Sequence, residues 1–204
     1  MEVVECPRTT TGAVANQTLR RSPDEILAAK LEETQFSVTE FLEDLVKERV
    51  FADVISQVST REKPNSYFAG SPPDVVFVRR EALLRGRRSR LAYVYARTLY
   101  LAAALPPSAR NDLQETDDPI GAVIVRHGLR VERERVCVEP PLLPFDWDNE
   151  TSIYARRYGV KIAGKPAMQI SEWFLSNLVV FLSADSVDQV GSEASDFKID
   201  RTAP

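Results

Sequence analysis

The chain has 204 residues, 44% hydrophobic and 27% charged, with a formal net charge of −4. That size and apolar content fit a single domain with a sizeable core plus tails, and the negative balance leaves no electrostatic footprint for nucleic acid, so an anionic ligand needs a local cluster of arginines. Cys6 and Cys137 are too few and too far apart for a disulfide framework or a zinc site, and with His127 the one histidine, a metal site built on histidines is excluded. No stretch approaches the roughly 18 apolar residues of a membrane span. The N-terminus has neither the basic start nor the apolar run of a secretory signal, and a cytoplasmic protein is expected.

Residues 1–20 are polar and unpatterned and are expected to form a loose arm. Ser22-Pro23-Asp24-Glu25 then announces a helix, with serine at the N-cap, proline in the first turn and glutamate closing a capping box. Its apolar side carries Ile26, Leu27 and Leu31. A second box, Ser37-Val38-Thr39-Glu40, opens a helix with Phe41, Leu42, Leu45 and Val46 at helical spacing. These tandem helices predict either packing onto a sheet or a lid.

Residues 51–59 are strand-like and 60–73 are loop. Asp74 to Leu84 reads as a strand with Val76, Val78, Arg80, Ala82 and Leu84 on one face. Arg80 is the only charge on that face, whereas Arg79 and Glu81 share the other. Residues 85–90, RGRRSR, form a basic turn expected to face water. Leu91 to Leu101 is the next strand, and Arg97 shares its face with Tyr93, Tyr95, Leu99 and Leu101. Residues 105–118 read as a polar connection, 119–124 as a short turn of helix or strand, and 129–138 as charge-rich but β-prone. Residues 139–150, with three prolines, form an irregular excursion.

Val160 to Leu175 reads as two strands joined at Ala163-Gly164-Lys165, where Gly164 supplies the positive φ such turns need. In the second strand Met168, Ile170, Glu172 and Phe174 share a face. Glu172 is a lone carboxylate on an apolar stripe, and burying it costs several kcal/mol unless a partner is supplied. The tail, 183–204, lacks the apolar content to order itself. The predicted architecture is α+β: a mainly antiparallel sheet with N-terminal helices and helical flaps over a pocket, spanning 21–182. Arg80, Arg97 and Glu172 each place one charge in an apolar layer. They fit either an internal ion-pair network or a pocket for a small carboxylic acid, which arginine grips through paired charge-assisted hydrogen bonds.

Four segments carry a resemblance to the chorismate lyase (chorismate pyruvate-lyase) family, over about residues 31–176. Glu33-Thr34-Gln35-Phe36-Ser37-Val38-Thr39-Glu40-Phe41-Leu42-Glu43 is similar to its serine-x-threonine run ending in a helix. Arg80-Glu81-Ala82-Leu83-Leu84 is similar to its arginine-bearing strand. Ala96-Arg97-Thr98 followed by Pro119-Ile120-Gly121 resembles its arginine-threonine and proline-apolar-glycine turn. Ala163-Gly164-Lys165-Pro166 followed by Glu172-Trp173-Phe174-Leu175 resembles its closing hairpin. No single motif is specific, but their order and spacing together are. The chain departs from the family at Ala96, where glycine is expected, in the lengthened 85–90 turn, and in the 139–150 excursion and the tail.

The resemblance implies an antiparallel sheet whose pocket lies under helical flaps, and elimination of pyruvate from chorismate to leave 4-hydroxybenzoate without metal or cofactor. It implies that Arg80 binds the ring carboxylate and that Glu172 hydrogen-bonds the ring hydroxyl. Ile120 and Gly121 would line the pocket, and Arg97 would be important for activity. Two alternatives stay open: a related pocket turned to another carboxylic acid, and a binding module without chemistry, like the effector domains of some transcription regulators. Against the last, the first 20 residues are too short for a DNA-binding domain. A monomer or homodimer with a small-molecule substrate, and neither nucleic acid nor membrane as partner, is expected.

Overall fold

The computed structural model describes residues 21–33, 37–61, 66–72, 74–144 and 150–183. The expected arm (1–20), Cys6, residues 145–149 of the excursion and all but the first residue of the expected tail lie outside the described residues.

Six strands form one sheet: β1 (Val50–Thr60), β2 (Phe77–Gly86), β3 (Ala92–Leu101), β4 (Val131–Glu139), β5 (Ser152–Ile162) and β6 (Lys165–Leu175). Their spatial order is β1-β2-β3-β6-β5-β4, and every neighbouring pair is antiparallel. The β5–β6 turn takes positive φ at Ala163 and Gly164, as the sequence at that turn requires. The helices are α1 (Pro23–Glu33), α2 (Val38–Val46), α3 (Pro107–Glu115) and α4 (Ile120–Arg126).

Alternation along the strands gives the sheet a helix-covered face and a far face. On the first, Leu27 and Leu31 of α1 and Phe41, Leu42 and Leu45 of α2 pack with Ala82, Leu84, Val94 and Phe174. Ala109 and Leu113 of α3 and Val123 of α4 pack with Tyr100, Met168 and Ile170 in a second cluster. Each fully buried leucine contributes about 1.5–3 kcal/mol, so helices this short are held by the sheet rather than by their own propensity. On the far face Leu83, Tyr95, Trp173 and Leu175 form a third cluster. Both faces therefore have an apolar layer.

Residues 105–118 depart from the expected polar connection, since they contain α3. Pro107 stands in its first turn, where a missing N–H costs nothing, and Ala109 and Leu113 supply its buried stripe. The 119–124 segment opens α4. His127 is the C-cap of α4, and its Nε2 lies 2.9 Å from Asp112 Oδ2 on α3. Arg126 adds ion pairs to Asp112 at 3.0 Å and Asp118 at 2.6 Å. These contacts tie the end of α4 to α3 and to the segment between them. The capping box at α2 forms as its sequence implies: Glu40 N–H donates to Ser37 Oγ, and Ser37 N–H donates to Glu40 Oε2.

The 85–90 turn is more than a solvated tip, although Arg87, Arg88, Ser89 and Arg90 are exposed. Glu48, just beyond α2, accepts from the Arg88 and Ser89 N–H groups and from the Tyr93 hydroxyl. Burial works to raise its pKa, but the Ser89 and Tyr93 hydroxyls and the two N–H groups outweigh that and bring it down to about 2. A depressed folded-state pKa stabilises the fold above the unfolded carboxylate range and loses that contribution as pH falls through about 2. Glu48→Gln is expected to lower stability by about 1–3 kcal/mol at neutral pH. The gap to the parent protein should narrow steadily below pH 4.5, the ordinary value for this group. Urea titrations across pH would check it; a gap independent of pH would remove Glu48 from this role.

Candidate active site

The register sets out the site in rows across the helix-covered face. Arg80 on β2 faces Thr98 on β3, Thr98 faces Ile170 on β6, and Ile170 faces Tyr158 on β5. The next row along the same face is Ala82, Ala96, Glu172 and Arg156. Strands about 4.8 Å apart and a rise of about 3.4 Å per residue put the Arg80 and Glu172 Cα atoms about 12 Å apart. Their side chains meet in one cavity of about 640 Å³, within the usual range for small-molecule sites. The cavity lies between the two apolar clusters. Thr98, Ile170 and Tyr158 help form its floor, and the start of α2 together with Ile120, Gly121 and Ile124 of α4 form its roof.

Gly121 is where the two flaps touch. A Cβ there would stand 2.8 Å from Ser37 Cβ, closer than carbon atoms approach, so only glycine lets α4 sit against the N-cap of α2.

Arg80 is buried, with a relative exposure of 4%. One guanidinium nitrogen donates to the Asp118 carbonyl oxygen at 3.3 Å, while its buried Nε has no partner among the described residues. Burial pulls the Arg80 pKa down, opposed by Tyr100 and Asp118, but arginine remains charged regardless. A buried cation with an unmatched donor is a costly arrangement unless an anion completes it.

Glu172 is equally buried, and the partner its position demands comes from the neighbouring strand. Arg156 Nε donates to Oε2 at 2.8 Å, and the Tyr158 hydroxyl donates to Oε1 at 2.9 Å. Burial would lower the Arg156 pKa, yet Glu172 and the tyrosines around it lift it above its ordinary value. Burial first, then the Glu172 charge, push the Tyr158 hydroxyl far above the tyrosine range. Tyr158 therefore keeps its proton and donates it. With each oxygen already accepting one hydrogen bond, Glu172 is presented to the cavity as an acceptor.

Arg97 does not join this group, which corrects the expected convergence of Arg80, Arg97 and Glu172. It lies on the far face, where Arg97 Nε donates to Glu81 at 3.0 Å and the guanidinium stands 5.9 Å from the Trp173 ring. Period-two alternation tells which residues of one strand share a face, but not which faces of different strands coincide. Because the far face also has an apolar layer, an arginine among large side chains looks the same on either side.

Arg156 was missed. Its strand carries the signal used for Arg80, since Tyr154, Tyr158 and Val160 flank it at spacing two. The doublet Arg156-Arg157 sends one arginine to each face, which alternation followed along 153–162 would show. Only Arg157 turns to the other side, pairing with Glu139 at 2.8 Å. Arg79-Arg80 is built the same way.

A buried antiparallel sheet face, a buried arginine and a paired carboxylate lining one cavity, and helical flaps over both describe an α+β protein with a chorismate lyase-like fold. The chain matches no model of a known protein family. It is 24% identical over 162 residues to a chorismate pyruvate-lyase of Mycobacterium leprae, covering 76% of this chain and 77% of that protein. With a chorismate pyruvate-lyase of Mycobacterium tuberculosis it shares 28% identity over 146 residues, or 68% and 70% of the two lengths. These relatives bear out the resemblance carried by the four motifs. Among solved structures it is similar to PhnF from Mycobacterium smegmatis, with a TM-score of 0.48 and 14% identity over 71% of this chain and 66% of that one.

Removing one member of a buried pair strands the other. Arg156→Leu is expected to destabilise the protein by about 3–5 kcal/mol, and adding Glu172→Leu to recover most of that loss. Denaturant unfolding of the single and double variants measures it; a double variant no better than the single one would show that the pair is not the source of the cost.

Proposed function

We propose that this protein is a lyase that eliminates pyruvate from chorismate to give 4-hydroxybenzoate. The observation that carries the reading is the diagonal of Arg80 and Glu172 across one buried cavity. A ring with a carboxylate at one end and a hydroxyl at the other spans it, with each end meeting its chemical complement. The names of the relatives and the order of the four motifs support the same substrate.

In that pose the Arg80 guanidinium receives the ring carboxylate, and its unmatched Nε gains an acceptor. Glu172, held by Arg156 and Tyr158, accepts a hydrogen bond from the ring hydroxyl. The ring carbon bearing the hydroxyl loses its proton, and the adjacent carbon–oxygen ether bond breaks. Its electron pair leaves on the enolpyruvyl oxygen, which becomes pyruvate after protonation and tautomerisation. The ring becomes aromatic, so much of the driving force is intrinsic. Holding the substrate in a reactive pose is the protein's main contribution, and such positioning supplies up to about 7–11 kcal/mol at best. The apolar walls contributed by Ile120, Ile124 and Ile170 keep water from the charged ends and strengthen both contacts.

Purified protein incubated with chorismate is expected to release 4-hydroxybenzoate and pyruvate in equal amounts. Arg80→Ala should cut kcat/KM by at least about 100-fold, because a ligand misplaced by about an ångström already costs that much. A folded parent protein that yields neither product would overturn the reading. Tight binding of the aromatic acid without turnover would instead mark a ligand-binding module.

A further inference from the structure

Thr98 stands on the floor of the cavity between Arg80 and Ile170, its row neighbours on β2 and β6. It is 4% exposed and lines the cavity. Its hydroxyl makes no hydrogen bond among the described residues, and unlike Arg80 Nε it is not sealed inside the protein. The open side of that oxygen is therefore the cavity. A hydroxyl held this way costs stability until something accepts its proton.

Neither row neighbour can accept it. Ile170 is apolar, and Arg80 carries only donors. Glu172 stands diagonally across on β6, where such pairs are about 7–8 Å apart, and its two oxygens are turned to Arg156 and Tyr158. Thr98 and Arg80 face each other directly, with their Cβ atoms about 4.5–5.5 Å apart in such a pair. Two adjoining donors thus lack an acceptor at the same end of one cavity. A carboxylate satisfies both, because it accepts about four hydrogen bonds and an arginine fork supplies two. Branching at Cβ restricts χ1, so the Thr98 hydroxyl loses little freedom when it engages a ligand.

Resting on the proposed substrate class, we infer that Thr98 is a substrate-binding residue whose hydroxyl donates to the ring carboxylate beside Arg80. Arg80 supplies the charge. The second donor, on the adjoining strand, fixes how the carboxylate lies between β2 and β3 and selects it over a neutral group at that end of the ring.

Thr98→Val removes the hydroxyl and keeps the shape. By calorimetry the variant should bind 4-hydroxybenzoate about tenfold or more weakly than the parent protein, and it should raise KM for chorismate more than it lowers kcat. Thr98→Ser should restore most of the affinity. 4-Methylphenol, with a methyl group in place of the carboxylate, should bind parent and Thr98→Val alike in an NMR titration. The unfolding temperature without ligand should stay level or rise, since an unpaired hydroxyl has gone; a fall would mark a structural threonine and overturn the inference. Equal weakening of both ligands would do the same, as would an unchanged affinity for 4-hydroxybenzoate. If the parent protein turns over chorismate while Thr98→Val leaves KM untouched, the inference fails alone. If the parent protein is inert toward chorismate, the proposed reaction fails, and an affinity for 4-hydroxybenzoate lost with valine and regained with serine still identifies the carboxylate-binding hydroxyl.

Discussion

A carboxylate buried on a sheet face is the constraint to which the rest of this protein answers. Glu172 sits in the central part of a six-stranded sheet, under helices, where water cannot solvate it. Such a charge persists only with a close counter-charge and a hydrogen bond to each oxygen. Arg156 and Tyr158 meet both needs from the adjoining strand. The β5–β6 hairpin is therefore more than an edge of the fold. The tight turn at Gly164 and the register shift between Val160 and Lys161 together bring Glu172 opposite Arg156, and a slip of one residue would turn Glu172 to the far face.

That fixed carboxylate explains why the opposite side of the cavity looks as it does. Ala82 and Ala96 stand in the same row as Glu172, and their small side chains leave open the volume between it and Arg80. Larger groups at either position would fill the space between Glu172 and Arg80 and leave a core instead of a cavity. Ala96 is also where glycine is expected from the resemblance. One added methyl group on the floor narrows the cavity where the ring would lie, a difference in shape with the charges left in place.

The strands, the hairpin, the α2 capping box and the inward positions of Arg80 and Glu172 were legible in the sequence because each depends on local rules: alternation, turn chemistry and the cost of an isolated charge. What was not legible depends on register between strands distant in the chain. Arg97 and Arg80 carry the same within-strand signal, and only the pairing of Glu81 with Arg97 reveals that they face opposite ways. Arg156 is within reach of the same alternation, since a strand sends one of two adjacent arginines inward, as at Arg79-Arg80. The α3 helix was lost among prolines and acids because its buried stripe is only Ala109 and Leu113, too short to show a period.

Asp118 joins the flaps to the chemistry. Its carbonyl oxygen accepts from Arg80, while its carboxylate takes Arg126 at the end of α4 and the Thr116 hydroxyl at the end of α3. The group that orients the buried arginine is thus the group that anchors the roof. Arg80 holds that carbonyl through one guanidinium nitrogen only, and its Nε is unmatched among the described residues, so an anion can be received without releasing the roof. The deep end of the cavity and its cover thus meet at one residue. At the other end, Arg133 sits on an edge strand with no neighbour on its outer side among the described residues. The cavity thus has its buried end at Arg80 and its exposed end at Arg133.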